Sequence, residues 1–526
     1  MEVNNNKFNL KKATFYVMII LAFSRVLGMV REMVIANTYG GGMESDAFYA
    51  AFTIPDLMYD LLVSGALSSG FMPVFNSFLS KDDEKGAWKS ASVFVTVSII
   101  FILSFNFIGV VFAQWLVPLV SYGSLSDPEE FALTVKLTRI MFSAVTFTVL
   151  AGVSKGILES YKSFIIPAIG PVVYNLGFIL GAVVLGRFFG IEGLCIGVVI
   201  GAMGNLFIQL PQFKRAGKRF KLSLDVHDEG FKEMMLLMLP ALIALAVNRL
   251  NLVINQNVVS FLEEGSRTEL RYAQRLMMLP VGIFGAGIIT TIFPTMNAQI
   301  ATGRYEDYKD TLCQGLRNAL FLTIPSAVGL MVLNDPIVRL LFLSGKFTDY
   351  NVSKTAFALS FYAFGVIGNA AVPLLIRGFY SRHDTKTPLW VGILVVLVNL
   401  VLNITFVKYT NLGVGGVALT SAAVAFLEMV VLYAILSVKM HGLRTKEVLT
   451  TVWKSCIAAS AMGGMAYGLR ILLEDRLGTA RKTAQLINVV VPVGLAILVY
   501  FIVASLLKMP ELEFFLGAFK RKIKKS

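Results

Sequence analysis

Charge and cysteine are both scarce in this chain of 526 residues. Asp, Glu, Lys and Arg together supply only 15% of the sequence, against 56% hydrophobic residues. That balance excludes an ordinary water-soluble protein, because so much apolar surface would have to be held in water. The three cysteines, Cys195, Cys313 and Cys456, are too few and too scattered for a disulfide framework or a metal site. The three histidines, His227, His383 and His441, lie in or beside charged connectors and have no partner at ligand spacing. The sequence also lacks a Walker lysine loop, a zinc-ligand pair at helical spacing and a nucleophile elbow. The expectation is a protein that is not an enzyme, holds no cofactor and is driven by an ion gradient or the membrane potential.

What the chain does have is apolar runs of roughly 20 residues, each long enough to cross a ~30 Å hydrocarbon core as a helix. They predict spans near 13–36, 46–78, 89–117, 131–154, 164–186, 191–213, 231–262, 267–298, 309–333, 353–379, 388–407, 413–438, 448–470 and 485–507. No connector is long enough for a soluble domain. Lys11 and Lys12 before the first run resemble a signal peptide, but no small-residue cleavage site follows, so the run reads as a first span. The expected fold is therefore an all-α polytopic membrane protein of about fourteen helices.

The basic residues outnumber the acidic ones by 47 to 33, which invites a nucleic-acid reading until their positions are considered. Twenty-eight of them fall on alternate connectors, from Lys7/Lys11/Lys12 through Lys81/Lys85/Lys89 and the Lys214–Lys232 cluster to the Lys508–Lys525 tail; eleven fall on the others. By the positive-inside rule both termini are cytoplasmic, which requires an even number of spans. The basic surface is thus a topology signal that also attracts anionic headgroups, with no nucleic-acid partner expected.

The two halves resemble each other. Ser24-Arg25 is echoed by Asn248-Arg249, Phe71-Met72-Pro73 by Ile292-Phe293-Pro294, Pro167 by Pro388, Asn175 by Asn399 and Gly193 by Gly416, at offsets of 221 to 224 residues. The pattern divides the chain into a six-helix lobe at 1–222, a second at 223–442, and two further helices with a basic tail at 443–526. Six helices per copy bring both copies in from the same side, related by an axis along the membrane normal, with a binding cavity between them. The last two helices are either a structural appendage or a surface for a lipid tail.

Eight basic residues fall within spans: Arg25, Arg31, Lys136, Arg139, Arg249, Arg275, Arg317 and Lys454. A cation at a helix centre costs roughly 2.5–3.5 kcal/mol on insertion scales, so it faces a partner or water. Lys136, Arg317 and Lys454 lie close enough to helix ends to snorkel. Arg139 is deeper and ambiguous. Arg25, Arg31, Arg249 and Arg275 lie on the opening helices of the two lobes. At 100° per residue Arg25 shares a face with Glu32, and Ser24 shares one with Arg31, while Gly28 between them permits a bend. Either Glu32 and Asp46 neutralise these arginines in a fixed internal ion pair, or the arginines form a cationic cargo site. Guanidinium groups suit a phosphate through bidentate, charge-assisted hydrogen bonds. Carboxylates within spans are few, chiefly Glu32, Asp56, Asp60 and Glu428, which counts against an exporter of cationic drugs. No carboxylate cluster declares a coupling-ion site; Asp384 and the Asn-rich seventh helix (Asn248, Asn251, Asn255, Gln256, Asn257) are weak candidates.

The stretch Phe23-Ser24-Arg25-Val26-Leu27-Gly28, then Arg31-Glu32, Gly40 and Ser45-Asp46-Ala47-Phe48, resembles the N-terminal signature of the MurJ (MviN) lipid II flippases. Tyr272-Ala273-Gln274-Arg275-Leu276-Met277 with Pro280 and Gly282 is similar to the eighth-helix segment of the same family. The resemblance spans nearly the whole chain. It implies the multidrug/oligosaccharidyl-lipid/polysaccharide exporter fold, in which two six-helix lobes form a V and helices thirteen and fourteen shape a hydrophobic groove. It implies flipping of the undecaprenyl-diphosphate-linked disaccharide-pentapeptide across a bacterial inner membrane for peptidoglycan synthesis, by a chain expected to act as a monomer. It carries the family's functional residues over to Ser24, Arg25, Arg31, Asp46 and Arg275. Two positions depart: Glu32 stands where the family often has Asp, and Ile54-Pro55-Asp56-Leu57-Met58-Tyr59-Asp60 lacks a frequent arginine, for which Arg249 is a substitute. The alternatives are a flippase for another polyprenyl-diphosphate glycan and, ranked below it, a multidrug exporter.

Overall fold

In a computed structural model the chain is almost wholly helical. The structure describes residues 2–215 and 220–513, with side chains except those of 2–14, 64–66, 214, 215, 241, 244, 247, 248 and 286. The Lys7/Lys11/Lys12 side chains, part of the Lys214–Lys232 cluster, the Asn248 side chain and the tail beyond residue 513 lie outside the described residues. Among the described residues, fourteen long helical stretches occupy the positions expected of the spans. They are α1 (Glu2–Tyr39), α2 (Met43–Ser80), α3 (Glu84–Val111), α4 (Pro128–Ser160), α5 (Ile165–Phe189), α6 (Ile191–Phe213) and α7 (Glu229–Val259). The series continues with α8 (Ser266–Gly285 and Gly287–Ala301, bent by 41°), α9 (Tyr305–Val332), α10 (Asp349–Ser381), α11 (Lys386–Tyr409), α12 (Val414–Lys439), α13 (Thr445–Leu477) and α14 (Lys482–Leu506).

Eleven of these, α2–α6 and α9–α14, are long and apolar enough to cross a bilayer, and the bent α8 makes a twelfth when counted as one span. The count among the described residues is therefore eleven or twelve rather than fourteen. Helices α1 and α7, at 38 and 31 residues, stand where the first and seventh spans were expected. The only β pairing among the described residues is an isolated bridge between Ser344 and Phe347.

Local chemistry sets the helix ends. Asp83 accepts the Gly86 amide at 2.9 Å, Asp127 the Glu129 amide at 2.9 Å and Asp228 the Phe231 amide at 3.1 Å, each satisfying a first-turn donor. The far ends close on left-handed residues, and these repeat along the chain. Asp82 and Gly303, Lys162 and His383, and Gly190 and Gly413 all have positive φ, at offsets of 221, 221 and 223. Thus the internal repeat is written in the backbone, and His383 and His441 end helices in the left-handed region. A second echo is a widened π-helical stretch, Asp60–Phe71 in α2 and Val281–Gly285 in α8, starting 221 residues apart.

The backbone forms two compact units. The first is Met1–Thr268 with Ser344–Phe347. Within it α5 and α6 cross at glycines: a Cβ on Gly197 would lie 2.3 Å from Gly181 Cα, and one on Gly177 the same distance from Gly201 Cα. Small residues let two backbones approach where lipid gives no hydrophobic drive for association. Helix α7, which opens the second copy of the repeat in sequence, packs in this first unit. It buries Phe231, Met234 and Met238 against Leu67, Phe71 and Phe75 of α2 and Phe94 of α3. The approach is close enough that a Cβ on Gly70 would meet the Met234 carbonyl at 2.5 Å. The second unit is Glu269–Leu343 with Thr348–Ser526. One of its cores joins α9, α10 and α12 through Leu312, Leu316, Leu375, Phe379 and Leu436, and another joins α9 to α13 and α14 through Phe321, Ala459, Met462 and Tyr500.

Candidate functional site

The two arginines of α1 sit in different environments. Arg31 is buried, and its Nη2 lies 2.5 Å from Glu32 Oε1. Its Nη1 donates to Asn175 Oδ1 at 3.1 Å, and the guanidinium stacks 4.5 Å from the centre of the Phe178 ring. Glu32 is almost fully buried and accepts the Tyr49 hydroxyl at 2.8 Å on its other oxygen. Asn175 in turn donates to the Ser24 carbonyl at 3.3 Å. The pair ties α1 to α2 and α5, so for Arg31 the fixed internal ion pair is what the structure shows. Arg31 Nε is buried without a hydrogen-bond partner.

Arg25 is exposed, and no described residue bonds to it. The helical wheel places it on the face of Glu32, yet Glu32 is buried and Arg25 is not. The reason is the extent of cover: residues 15–30 of α1 are largely exposed, with Ser24 the buried exception, and burial becomes regular only from Arg31 onward. Helix α1 runs unbroken through Gly28, where a Cβ would meet the Asn175 amide at 3.8 Å, an ordinary contact.

Asp46 pairs with neither arginine. Its carboxylate caps the turn that opens α8, accepting the Thr268 amide at 2.8 Å and hydroxyl at 2.7 Å on Oδ1, and the Gly265 amide at 2.9 Å on Oδ2. Arg267 completes the knot. Its guanidinium donates to the Asp46 carbonyl at 3.1 Å, to Ser121 Oγ at 2.9 Å and to Gln256 Oε1 at 3.2 Å. Nothing in the spacing of the chain pairs Asp46 with Arg267. The one local sign is Ser266 with Glu269 three residues on, a helix-start pattern whose amides require an acceptor. Nearby, Gly40 has φ +75°, and a Cβ there would lie 2.7 Å from the Lys346 carbonyl, so the signature glycine is needed both for its backbone angle and for space.

Arg249 on α7 pairs with Asp60 of α2 at 2.7 Å, both half-exposed. Of the neighbouring amides, Asn257 serves packing: it donates to the Leu119 carbonyl and accepts the Tyr122 amide at 2.9 Å. Lys136 bonds Glu192 at 2.5 Å, Arg139 the Val110 carbonyl at 3.1 Å, Arg317 both Glu447 and Glu511 at 2.6 Å, and Lys454 the Leu507 carbonyl at 2.8 Å. Arg275 lies exposed on the part of α8 in the second unit, and is not free of partners. Of these eight cations, Arg25 is therefore the one to which no described residue bonds, while Arg139 and Lys454 bond only backbone carbonyls.

The second unit also holds an apolar groove of about 440 Å³. Leu279 and Ile283 of α8, Pro325 of α9, Met462 of α13 and Ile497 and Phe501 of α14 line it. Asp384 is a cap: it accepts the Thr387 amide at 3.0 Å at the start of α11, with the Lys439 ammonium at 2.6 Å. Among the described residues no group of three His, Cys, Asp or Glu side chains is placed to hold a metal.

These features define a polytopic helical membrane protein with the transporter fold of the multidrug exporters. An inward-facing multidrug MATE transporter of the MOP superfamily superposes with a TM-score of 0.66 at 15% identity, covering 81% of this chain and 98% of that one. The chain belongs to the lipid II flippase MurJ family, whose profile matches residues 35–509. It is 32% identical to the lipid II flippase MurJ of Burkholderia cenocepacia over 81% of this chain and 83% of that protein. To the probable lipid II flippase MurJ of Vibrio cholerae it is also 32% identical, over 86% and 88%. A solved lipid II flippase MurJ in an inward closed conformation matches with a TM-score of 0.77 at 26% identity, covering 93% of this chain and 98% of that one.

Proposed function

We propose that this protein flips lipid II, or a closely similar polyprenyl-diphosphate-linked glycan, from the inner to the outer leaflet of a bacterial cytoplasmic membrane. The observation that carries the reading is Arg25, a guanidinium on a membrane-embedded helix that is exposed and has no described counter-charge. A cation left bare at that depth costs free energy, and a diphosphate would supply the missing bidentate acceptor. Arg275 is the second proposed contact. Arg31, Glu32 and Ser24 hold the helix that presents Arg25, while Asp46 and Arg249 act through the packing of α2 with α7 and the start of α8. The apolar groove beside α13 and α14 suits the prenyl tail, which leaves the lipid only in part.

Transport proceeds by rocking of one lobe of the repeat against the other, with no covalent chemistry on the cargo and with an ion gradient or the membrane potential as the driving force. Both termini are cytoplasmic in this reading, since the Lys- and Arg-rich connectors then all face the cytoplasm. The test is leaflet-resolved accessibility of lipid II in cells depleted of their own flippase and expressing this chain. Outward appearance with the wild type and its loss with Arg25→Ala support the reading. A well-inserted wild type that exposes no lipid II assigns the chain to a different lipid-linked glycan.

A further inference from the structure

The connector between α6 and α7 lays non-helical backbone along the side of α3. Its segment Phe220–Val226 alternates apolar and polar residues: Phe220, Leu222, Leu224 and Val226 against Lys221, Ser223 and Asp225. The amide of Lys221 donates to Ser92 Oγ at 3.4 Å and that of Ser223 to Thr96 Oγ1 at 3.2 Å, both on α3. Ser92 and Thr96 lie eight and twelve residues beyond Glu84, so the contacts climb about 12 and 18 Å from the start of the helix, and they lie three and seven residues past Lys89, where the span is expected to begin. The segment then returns, with Asp225 and Asp228 bound by Lys89 at 3.1 and 3.2 Å and Asp228 accepting the Ser90 hydroxyl at 2.5 Å.

The polar edge is thus spent on α3, and the apolar edge faces outward. Leu222 and Leu224 are 77% and 62% exposed, and Phe220 and Val226 are exposed as well. In water four such side chains in a row would be an aggregation-prone patch. At the depth of Ser92 and Thr96 the surroundings are the headgroup boundary and acyl chains, where extended backbone is tolerated only if its polar groups find protein partners. The hydroxyls of Ser92 and Thr96 supply two such partners, for the Lys221 and Ser223 amides. The sequence of the connector also carries six Lys and Arg between residues 214 and 232 against three acidic residues, a charge that complements anionic headgroups.

We propose that Phe220–Val226 is an amphipathic comb whose apolar side chains insert into the leaflet on the side of the Lys81–Lys89 connector, cytoplasmic in the orientation proposed above. Its partner is an anionic phospholipid bilayer. The comb anchors the α6–α7 connector to lipid and to α3 instead of leaving it as a free tether.

The experiment uses the full chain in vesicles of phosphatidylethanolamine and phosphatidylglycerol. Single cysteines are introduced as Leu222→Cys, Leu224→Cys and, as an aqueous reference on the first turn of α7, Lys232→Cys, with Cys195→Ala, Cys313→Ala and Cys456→Ala. Labelling by a membrane-impermeant maleimide is expected to be about tenfold or more slower at positions 222 and 224 than at 232. A bimane probe at 222 and 224, but not at 232, is expected to be quenched by nitroxide-bearing acyl chains. Equal labelling at all three positions, or quenching at 222 and 224 no stronger than at 232, overturns the proposal. Two independent positions guard against one variant that fails to fold. None of these readouts requires transport, so their failure is separable from failure of the flippase reading.

Discussion

Asp46 and Thr268, 222 residues apart in the chain, share one carboxylate oxygen that accepts both the backbone amide and the side-chain hydroxyl of the threonine. With the Gly265 amide on the other oxygen, a single buried side chain closes the first turn of α8. Asp46→Asn keeps one acceptor oxygen but turns the other position into a donor that faces the Gly265 amide. A loss of about 1–3 kcal/mol is expected, because a buried donor is left unsatisfied. Thermal unfolding in detergent should show a lowered transition for Asp46→Asn and a smaller drop for Thr268→Val. An unchanged transition for Asp46→Asn would mean that the cap contributes no stability.

Arg25→Ala removes an exposed side chain to which no described residue bonds, so the unfolding temperature should remain that of the wild type while flipping is abolished. Arg25→Lys keeps the charge but loses the planar fork, and should retain only partial activity. The two variants are to be compared by lipid II accessibility and by melting on the same preparations. A melting temperature that falls together with activity would place Arg25 in the scaffold instead.

Glu32 gives the opposite pattern. Glu32→Gln leaves Arg31 buried beside a neutral amide, and breaking a buried pair by neutralising one partner costs about 3–5 kcal/mol. Tyr49→Phe, which removes one hydrogen bond to the same carboxylate, should cost about 1 kcal/mol. The amount of folded, membrane-inserted protein measures both. A Glu32→Gln variant as abundant and as heat-resistant as the wild type would contradict the structural role of the pair.

Gly197→Ala places a methyl group 2.3 Å from Gly181 Cα, where only backbone can give way. Separation of α5 from α6 should cost about 1–3 kcal/mol. Gly494→Ala, on α14 where an added methyl group meets only open space, should be neutral or slightly stabilising and serves as the control. Melting of the two variants side by side checks the difference.

Asp384 lies in the α10–α11 connector, outside the spans. Burial alone would raise its carboxyl, but the Lys439 ammonium and the Thr387 amide and hydroxyl outweigh that effect and hold it at about 2. A carboxyl lowered in the folded state contributes stability above its ordinary value of 3.8, and that contribution fades as the pH falls from there toward about 2. The difference in melting temperature between wild type and Asp384→Asn should therefore be constant near neutral pH and shrink across that acidic window. A difference that persists undiminished at the acid end would show that the cap does not act through its charge.

The sequence alone determined where the helices lie, because a run of apolar residues long enough to cross a bilayer has no other way to satisfy its backbone. It also determined the repeat, and three pairs of left-handed helix ends, at offsets of 221 to 223, follow that register. The family signature likewise identified Arg25 and Arg31 as a pair of interest. What it left undecided was their difference. Both are arginines on one helix, and only Glu32, Asn175 and Phe178 folding around Arg31 separate a buried structural cation from an exposed one. The partner of Asp46 lay 222 residues away, and α7, the opening helix of the second copy, packed against α2 and α3 of the first. Covalent order and helical periodicity specify what each helix is, since both act within a few turns. Which charges are neutralised, and by whom, depends on neighbours brought together from distant parts of the chain, and tertiary packing alone decided that.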